Sequence, residues 1–128
     1  MASPLRILVA DSDEKRRGLL QAGLCLAGGH TTVPVGNDRL VLEELAVDPT
    51  YDLVVVNSGI PDMQGSEILR YMREGERTSR IPMVLLMDAP DPLLQQVGKV
   101  LDAICLPRDI SCRELLAEVE KFTASRTG

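Results

Sequence analysis

The stretch Tyr51–Gly65, YDLVVVNSGIPDMQG, holds an apolar run from Leu53 to Val56 that stops at Asn57 and gives way to Ser58, Gly59, Pro61, Asp62 and Gly65. A short Leu/Val run without polar alternation has the pattern of a strand buried on both faces. The turn-forming residues after it mark a loop. The residue at that junction sits where open parallel sheets place their chemistry, and here it is an amide.

Four more runs of the same kind surround it: RILVA at 6–10, TTVPV at 31–35, MVLLM at 83–87 and AICL at 103–106. Helical patterns lie between them. In DEKRRGLLQAGLCLAGG, Leu19, Leu20, Leu24 and Ala27 form a stripe that Gly28 and Gly29 close. Asn37 is placed to cap DRLVLEELAV, with Leu40, Val41, Glu44 and Leu45 as its turn set and Pro49 as its stop. Ser66 is placed to cap EILRYMREGE, which points Ile68, Leu69 and Met72 inward. In APDPLLQQVGKVLD, Leu93, Leu94, Val97, Val100 and Leu101 keep helical spacing, although Gly98 weakens the middle. Ser111 and Glu114 make a capping box ahead of Leu115, Val119 and Phe122.

Strand and helix therefore alternate five times, which predicts an α/β fold with a parallel sheet between helix layers. The 128 residues suit one domain, expected over 1–122, with TASRTG at 123–128 as a polar tail or the start of a linker. An aromatic content of 2% requires an aliphatic core. A net charge of -5 and a pI near 4.8 argue against nucleic-acid binding, and the KRR run at 15–17 reads as the solvated side of a helix. Cys25, Cys105 and Cys112 form no CxxC pair, and no apolar stretch is long enough to span a membrane. A cytoplasmic protein is expected. His30, the single histidine, reads as an exposed turn residue and leaves no His-based metal or catalytic cluster to build.

The strand ends collect Asp11, Ser12 and Asp13 after the first run, Asn57 after the third, Met87 and Asp88 after the fourth, and Pro107 and Arg108 after the fifth. A glycine-rich phosphate cradle is absent from ADSDEKRRG. From about Leu5 to Phe122 the chain resembles the receiver domain of two-component response regulators. The resemblance is carried by ILVADSDE, YDLVVVNSGIPDMQG with Pro61 and Gly65 after the acceptor position, IPMVLLM and CLPR. It implies a doubly wound, flavodoxin-like (βα)5 fold with strand order 2-1-3-4-5. It also implies a switch in which an aspartate takes a phosphoryl group from a histidine kinase, assisted by magnesium on paired acids, a hydroxyl and a lysine.

The positions that matter to that chemistry have changed. Asn57 stands on the acceptor aspartate, and an amide oxygen without formal charge is no nucleophile for phosphorus. Ser12 with Asn57 removes two of the carboxylates a magnesium ion would use, so metal binding is expected to be weak or absent. Asp13 is expected to cap the first helix. Met87 replaces the reporting hydroxyl with a thioether, and Cys105 replaces a switching aromatic ring with a small side chain. Arg108 keeps the lysine's charge but brings a planar fork suited to a carboxylate, with Asp11 or Asp88 as the expected partner. Asp11 and Arg108 then come close to compensating each other.

The resulting expectation is a pseudo-receiver without enzymatic activity or cofactor. It acts through a protein partner or an attached effector domain. The resemblance points to the face of helix 4, strand 5 and helix 5, with Gln95, Gln96, Lys99, Cys105 and Arg113 as probes and a homodimer as one use of that face. The alternative is a phosphoryl-accepting switch with a displaced acceptor, Ser58 or Asp11. Flavin or nucleotide binding has little support, because Tyr51, Tyr71 and Phe122 do not stand at strand ends.

Overall fold

The apolar runs form strands because alternate side chains of each can bury against a different helix layer. The computed structural model describes residues 4–57, 65–88 and 92–124, apart from the side chains at 38, 65, 66, 93, 94 and 97. The strands are β1 (Arg6–Ala10), β2 (Thr31–Val35), β3 (Leu53–Asn57), β4 (Met83–Met87) and β5 (Ala103–Pro107). All pair in parallel, in the expected order β2-β1-β3-β4-β5. The helices are α1 (Glu14–Ala22), which runs on into a π-helical turn at Gly23–Ala27, then α2 (Asp38–Val47), α3 (Gly65–Glu74), α4 (Pro92–Val100) and α5 (Cys112–Ala124).

One face of the sheet buries Ile7, Val9, Leu53, Val55, Val84 and Leu86 against Leu24, Leu115 and Val119. The other buries Leu8, Ala10, Val54, Val56, Met83 and Leu85 against α2 and α3. The central strands β3 and β4 are buried throughout. At the edge, β2 exposes Thr31 and Pro34, so the expected burial on both faces does not extend to it. An edge is where a proline's missing N–H is tolerated.

Caps fix where the helices begin. Asp13 accepts the Arg16 N–H at 2.9 Å, and Asn37 accepts the Leu40 N–H at 2.9 Å. Ser111 accepts the Glu114 N–H at 3.1 Å and donates its hydroxyl to the Glu114 carboxylate at 3.0 Å. The loop 58–64 and the capping side chain expected at Ser66 lie outside the described residues, as do the side chains of Leu93, Leu94 and Val97.

Several expectations change. In the first helical stripe Leu24 is buried and Leu20 half-buried, but Ala27 is exposed and Leu19 is 66% exposed. On a 3.6-residue helix Leu19 already lies about 140° around from Leu24, and past Leu24 the π turn, in which the Gly28 N–H reaches back five residues to the Gly23 carbonyl at 3.3 Å, takes Ala27 out of α-helical register. Leu40 and Val100 also face outward, and Leu101 turns in where Val100 does not. Gly98 also serves a close approach, since a Cβ there would stand 3.0 Å from the Ala103 carbonyl oxygen. α5 continues to Ala124, two residues into the segment read as a tail.

His30 is buried, not an exposed turn residue, at 6% exposure. Its Nδ1 accepts the Leu5 N–H at 3.0 Å and ties the approach to β1 to the approach to β2. No helix among the described residues is long and apolar enough to cross a membrane.

Helical geometry separates two leucines five positions apart, one buried and one exposed. Leu24→Ala should cost about 3 kcal/mol in urea unfolding, as a buried leucine truncation does. Leu19→Ala should stay within about 0.5 kcal/mol. Equal losses would contradict this difference in burial.

Candidate functional site

Parallel pairing brings the carboxyl ends of β1, β3, β4 and β5 to one edge of the sheet. Asp11, just past β1, is still tied to it, because its N–H reaches the Val35 carbonyl at 3.2 Å. Arg108, just past β5, gives its N–H to the Met87 carbonyl at 2.7 Å. Asn57 is the last residue of β3. Asp11 and Asn57 are 0% and 1% exposed, so their polar atoms depend on each other and on what reaches them from the rim.

The contacts form a chain. Arg16 Nε donates to Asp11 Oδ2 at 2.8 Å and its Nη2 to Asp11 Oδ1 at 3.1 Å, a bidentate fork. Asn57 Nδ2 donates to Asp11 Oδ2 at 3.1 Å. Arg108 Nε and Nη2 both donate to Asn57 Oδ1, at 3.0 and 2.7 Å. Arg108 Nη1 pairs with Asp88 at 2.7 Å. Cation, carboxylate, amide, cation and carboxylate thus run in sequence from α1 across four strand ends.

The Asp11 carboxylate also accepts the Asp13 N–H on Oδ1 at 2.9 Å. With two bonds on each oxygen, it has filled the roughly four acceptor positions of a carboxylate. Burial alone would push this carboxyl up. The Arg16 bond, the Asp13 N–H and the Asn57 amide outweigh burial and hold it below its ordinary value of 3.8.

Arg108 therefore meets Asp88 and Asn57, while the expected pairing with Asp11 is taken by Arg16. The KRR run is only partly solvated: Lys15 is exposed, but Arg16 binds the Asp11 carboxylate and Arg17 Nη1 binds the Asp11 carbonyl at 2.8 Å. Sequence reading missed Arg16 because its partner lies five residues back, outside helical spacing. The available signal was Asp13, whose cap starts α1 so that Arg16 falls in its first turn. Ser12 is exposed and makes no hydrogen bond among the described residues. Met87 is buried, Gln95, Gln96, Lys99 and Arg113 are exposed, and Cys105 is half-buried close to Gly98. Ser58 lies outside the described residues.

No family model matches the chain. It is 32% identical over 128 residues to the response regulator protein PmrA of Pseudomonas aeruginosa, covering 97% of this chain and 55% of that protein. It is 30% identical over 132 residues to the transcriptional regulatory protein GltR of the same organism, covering 95% of this chain and 52% of that one. The chain thus spans about half the length of these curated relatives. The chemotaxis response regulator CheY4 of Vibrio cholerae superposes with a TM-score of 0.82 over 94% of this chain and 99% of that chain, at 20% identity. This is a response regulator receiver domain. A sensor protein from Polaromonas sp. JS666 matches the receiver at 25% identity and a TM-score of 0.83, over 97% of this chain and 98% of that one.

Arg16→Met should destabilise the receiver by about 2 kcal/mol at neutral pH, because it leaves a buried carboxylate short of its cation; the half-exposed position of Arg16 tempers the loss. Lys15→Met should change little. Asp11 has a depressed pKa in the folded state, so its ionised-form stabilisation is complete above 3.8 and fades as pH falls through the folded value. The deficit of Arg16→Met, measured as urea midpoints, should shrink over that acid range. A deficit independent of pH would assign it to something other than Asp11.

Proposed function

We propose that this receiver is a pseudo-receiver, in which an internal chain of ion pairs and hydrogen bonds occupies the place of phosphoryl chemistry. It serves as a phosphorylation-independent interaction module. The observation that carries this reading is the double donation from Arg108 to Asn57 Oδ1. The amide at the acceptor position is neutral and engaged on both ends, by Arg108 and by Asp11.

The donor set does not fit magnesium. A hard divalent cation wants several anionic oxygens with free lone pairs. Here the buried carboxylate is filled, and two guanidinium groups stand on either side of the Asp11–Asn57 pair. Among the described residues no group of three His, Cys, Asp or Glu side chains is placed to hold a metal. Asp11 as a displaced acceptor is disfavoured on the same ground, since attack on phosphorus requires a lone pair that Arg16, Asp13 or Asn57 would have to release.

A module of this kind acts through what touches it. Gln95, Gln96, Lys99 and Arg113 are exposed along α4 and the start of α5, and we assign that face to a protein partner or an attached effector domain. The greater length of the relatives supports an attached domain. The net charge of -5 argues against a nucleic-acid role for this domain itself.

Incubation with acetyl phosphate and magnesium, with intact mass as the readout, tests the reading directly. The mass should not change. A gain of one phosphoryl group would overturn it, and Ser58→Ala and Asp11→Asn would then locate the acceptor.

A further inference from the structure

Beside the ion-pair chain lies a cavity of about 180 Å³ between α1 and the start of α5. Its walls are of two kinds. Arg16 and Arg108 line one part, and Leu19, Leu20, Ile110 and Leu115 line another. We infer that this cavity binds a small monocarboxylate with a short apolar body, its carboxylate on the two guanidinium groups and its body against the leucine and isoleucine side chains.

Donor counting supports the polar end. A guanidinium carries five N–H groups. Arg16 commits two of them to the Asp11 carboxylate, through Nε and Nη2. Arg108 commits three, two to Asn57 and one to Asp88. Both groups thus keep N–H donors beyond those used inside the protein, and both line the same cavity. Cys112 lines it too, in the first turn of α5, and the N–H groups of Cys112 and Arg113 have no acceptor among the described residues. The positive end of a 13-residue helix therefore adds to the pull on an anion.

Charge arithmetic selects the class of anion. Arg16 and Arg108 are balanced by Asp11 and Asp88, so the group is neutral before a ligand arrives. One added negative charge brings the group to a single net negative charge, whereas a phosphate dianion would bring it to two beside both carboxylates. The planar fork of arginine matches a carboxylate, and the aliphatic wall selects against a bare inorganic anion. The volume is below that of a drug-sized pocket, which limits the body to a few carbons. Leu19, exposed on its helix face, finds a use at this rim.

The inference rests on reading the centre as free of phosphoryl chemistry, since a phosphorylated neighbour would draw Arg108 away. Titration of the protein with butanoate and hexanoate at constant ionic strength, monitored by NMR, tests it. Butan-1-ol and chloride serve as controls. The expected result is a saturable shift of the Arg108 Nε–H and of the Ile110 and Leu115 methyl groups with the carboxylates, tighter for hexanoate and absent with the controls. Leu19→Glu, a change at a solvent-facing position that leaves the fold intact, should weaken carboxylate binding roughly tenfold by placing a like charge at the rim. Absence of saturation, equal shifts with butan-1-ol, or unchanged affinity in Leu19→Glu overturns the inference. The mass measurement with acetyl phosphate is separate, so failure of carboxylate binding leaves the pseudo-receiver reading standing, and the reverse is equally visible.

Discussion

The Asp11 carboxylate is the constraint to which the rest of this site answers. It is wholly shielded from water at the end of a central strand, where an unpaired charge would cost several kcal/mol. Four hydrogen bonds make its burial acceptable, and they come from three structural sources. The Asp13 N–H comes from the turn into α1, the Arg16 fork from the first turn of that helix, and the Asn57 amide from the neighbouring strand. Remove the parallel register of β1 with β3 and the last of these is lost.

The sheet makes the arrangement possible by dividing its side chains so regularly. Ile7 and Val9 serve one helix layer, Leu8 and Ala10 the other, and the same alternation holds along β3 and β4. Nothing polar is needed until the strands stop. Asn57 then presents both ends of an amide to two partners of opposite charge: its oxygen suits Arg108 and its nitrogen suits Asp11. A carboxylate at the same place would satisfy Arg108 but set a second anionic oxygen about 3.1 Å from Asp11 Oδ2. The amide is therefore matched to a centre whose positive charges are guanidinium groups.

The inner strands were legible because a strand buried on both faces writes its pattern in consecutive residues, as RILVA and MVLLM do for β1 and β4, while TTVPV coincides with the half-buried edge strand β2. Capping was legible for the same local reason, at Asp13, Asn37 and Ser111. The remainder depends on geometry that no window contains. The π turn takes Ala27 out of the stripe through one carbonyl reached from five residues on, and a helical periodicity of 3.6 has no place for it. His30 is buried because the chain before β1 happens to offer an N–H to its ring. At the site, the residue type of Arg108 marks it as a carboxylate-seeking group, but the division of labour between Arg16 on Asp11 and Arg108 on Asp88 is set by distances across strands.

Two sets of contacts lie on either side of α4 in the sequence. At one end, Asp88 leads from β4 toward the helix and is joined to Arg108; the carboxylate is 73% exposed, so this pair alone is weak. Its placement comes from Arg108, which Asn57 holds with two bonds. At the other end, Arg73 on α3 donates to the Leu101 carbonyl at 2.6 Å and to the Asp102 carbonyl at 3.2 Å, gripping the turn into β5 where Asp102 takes a φ of 62°. Gly98 lets the middle of α4 lie directly on that strand. A thioether at Met87 has no hydroxyl with which to track an oxyanion. Under the proposed reading, the face carrying Gln95, Gln96 and Lys99 belongs to a helix packed on β5, the strand that leads into Arg108, and its output changes without a covalent phosphoryl group.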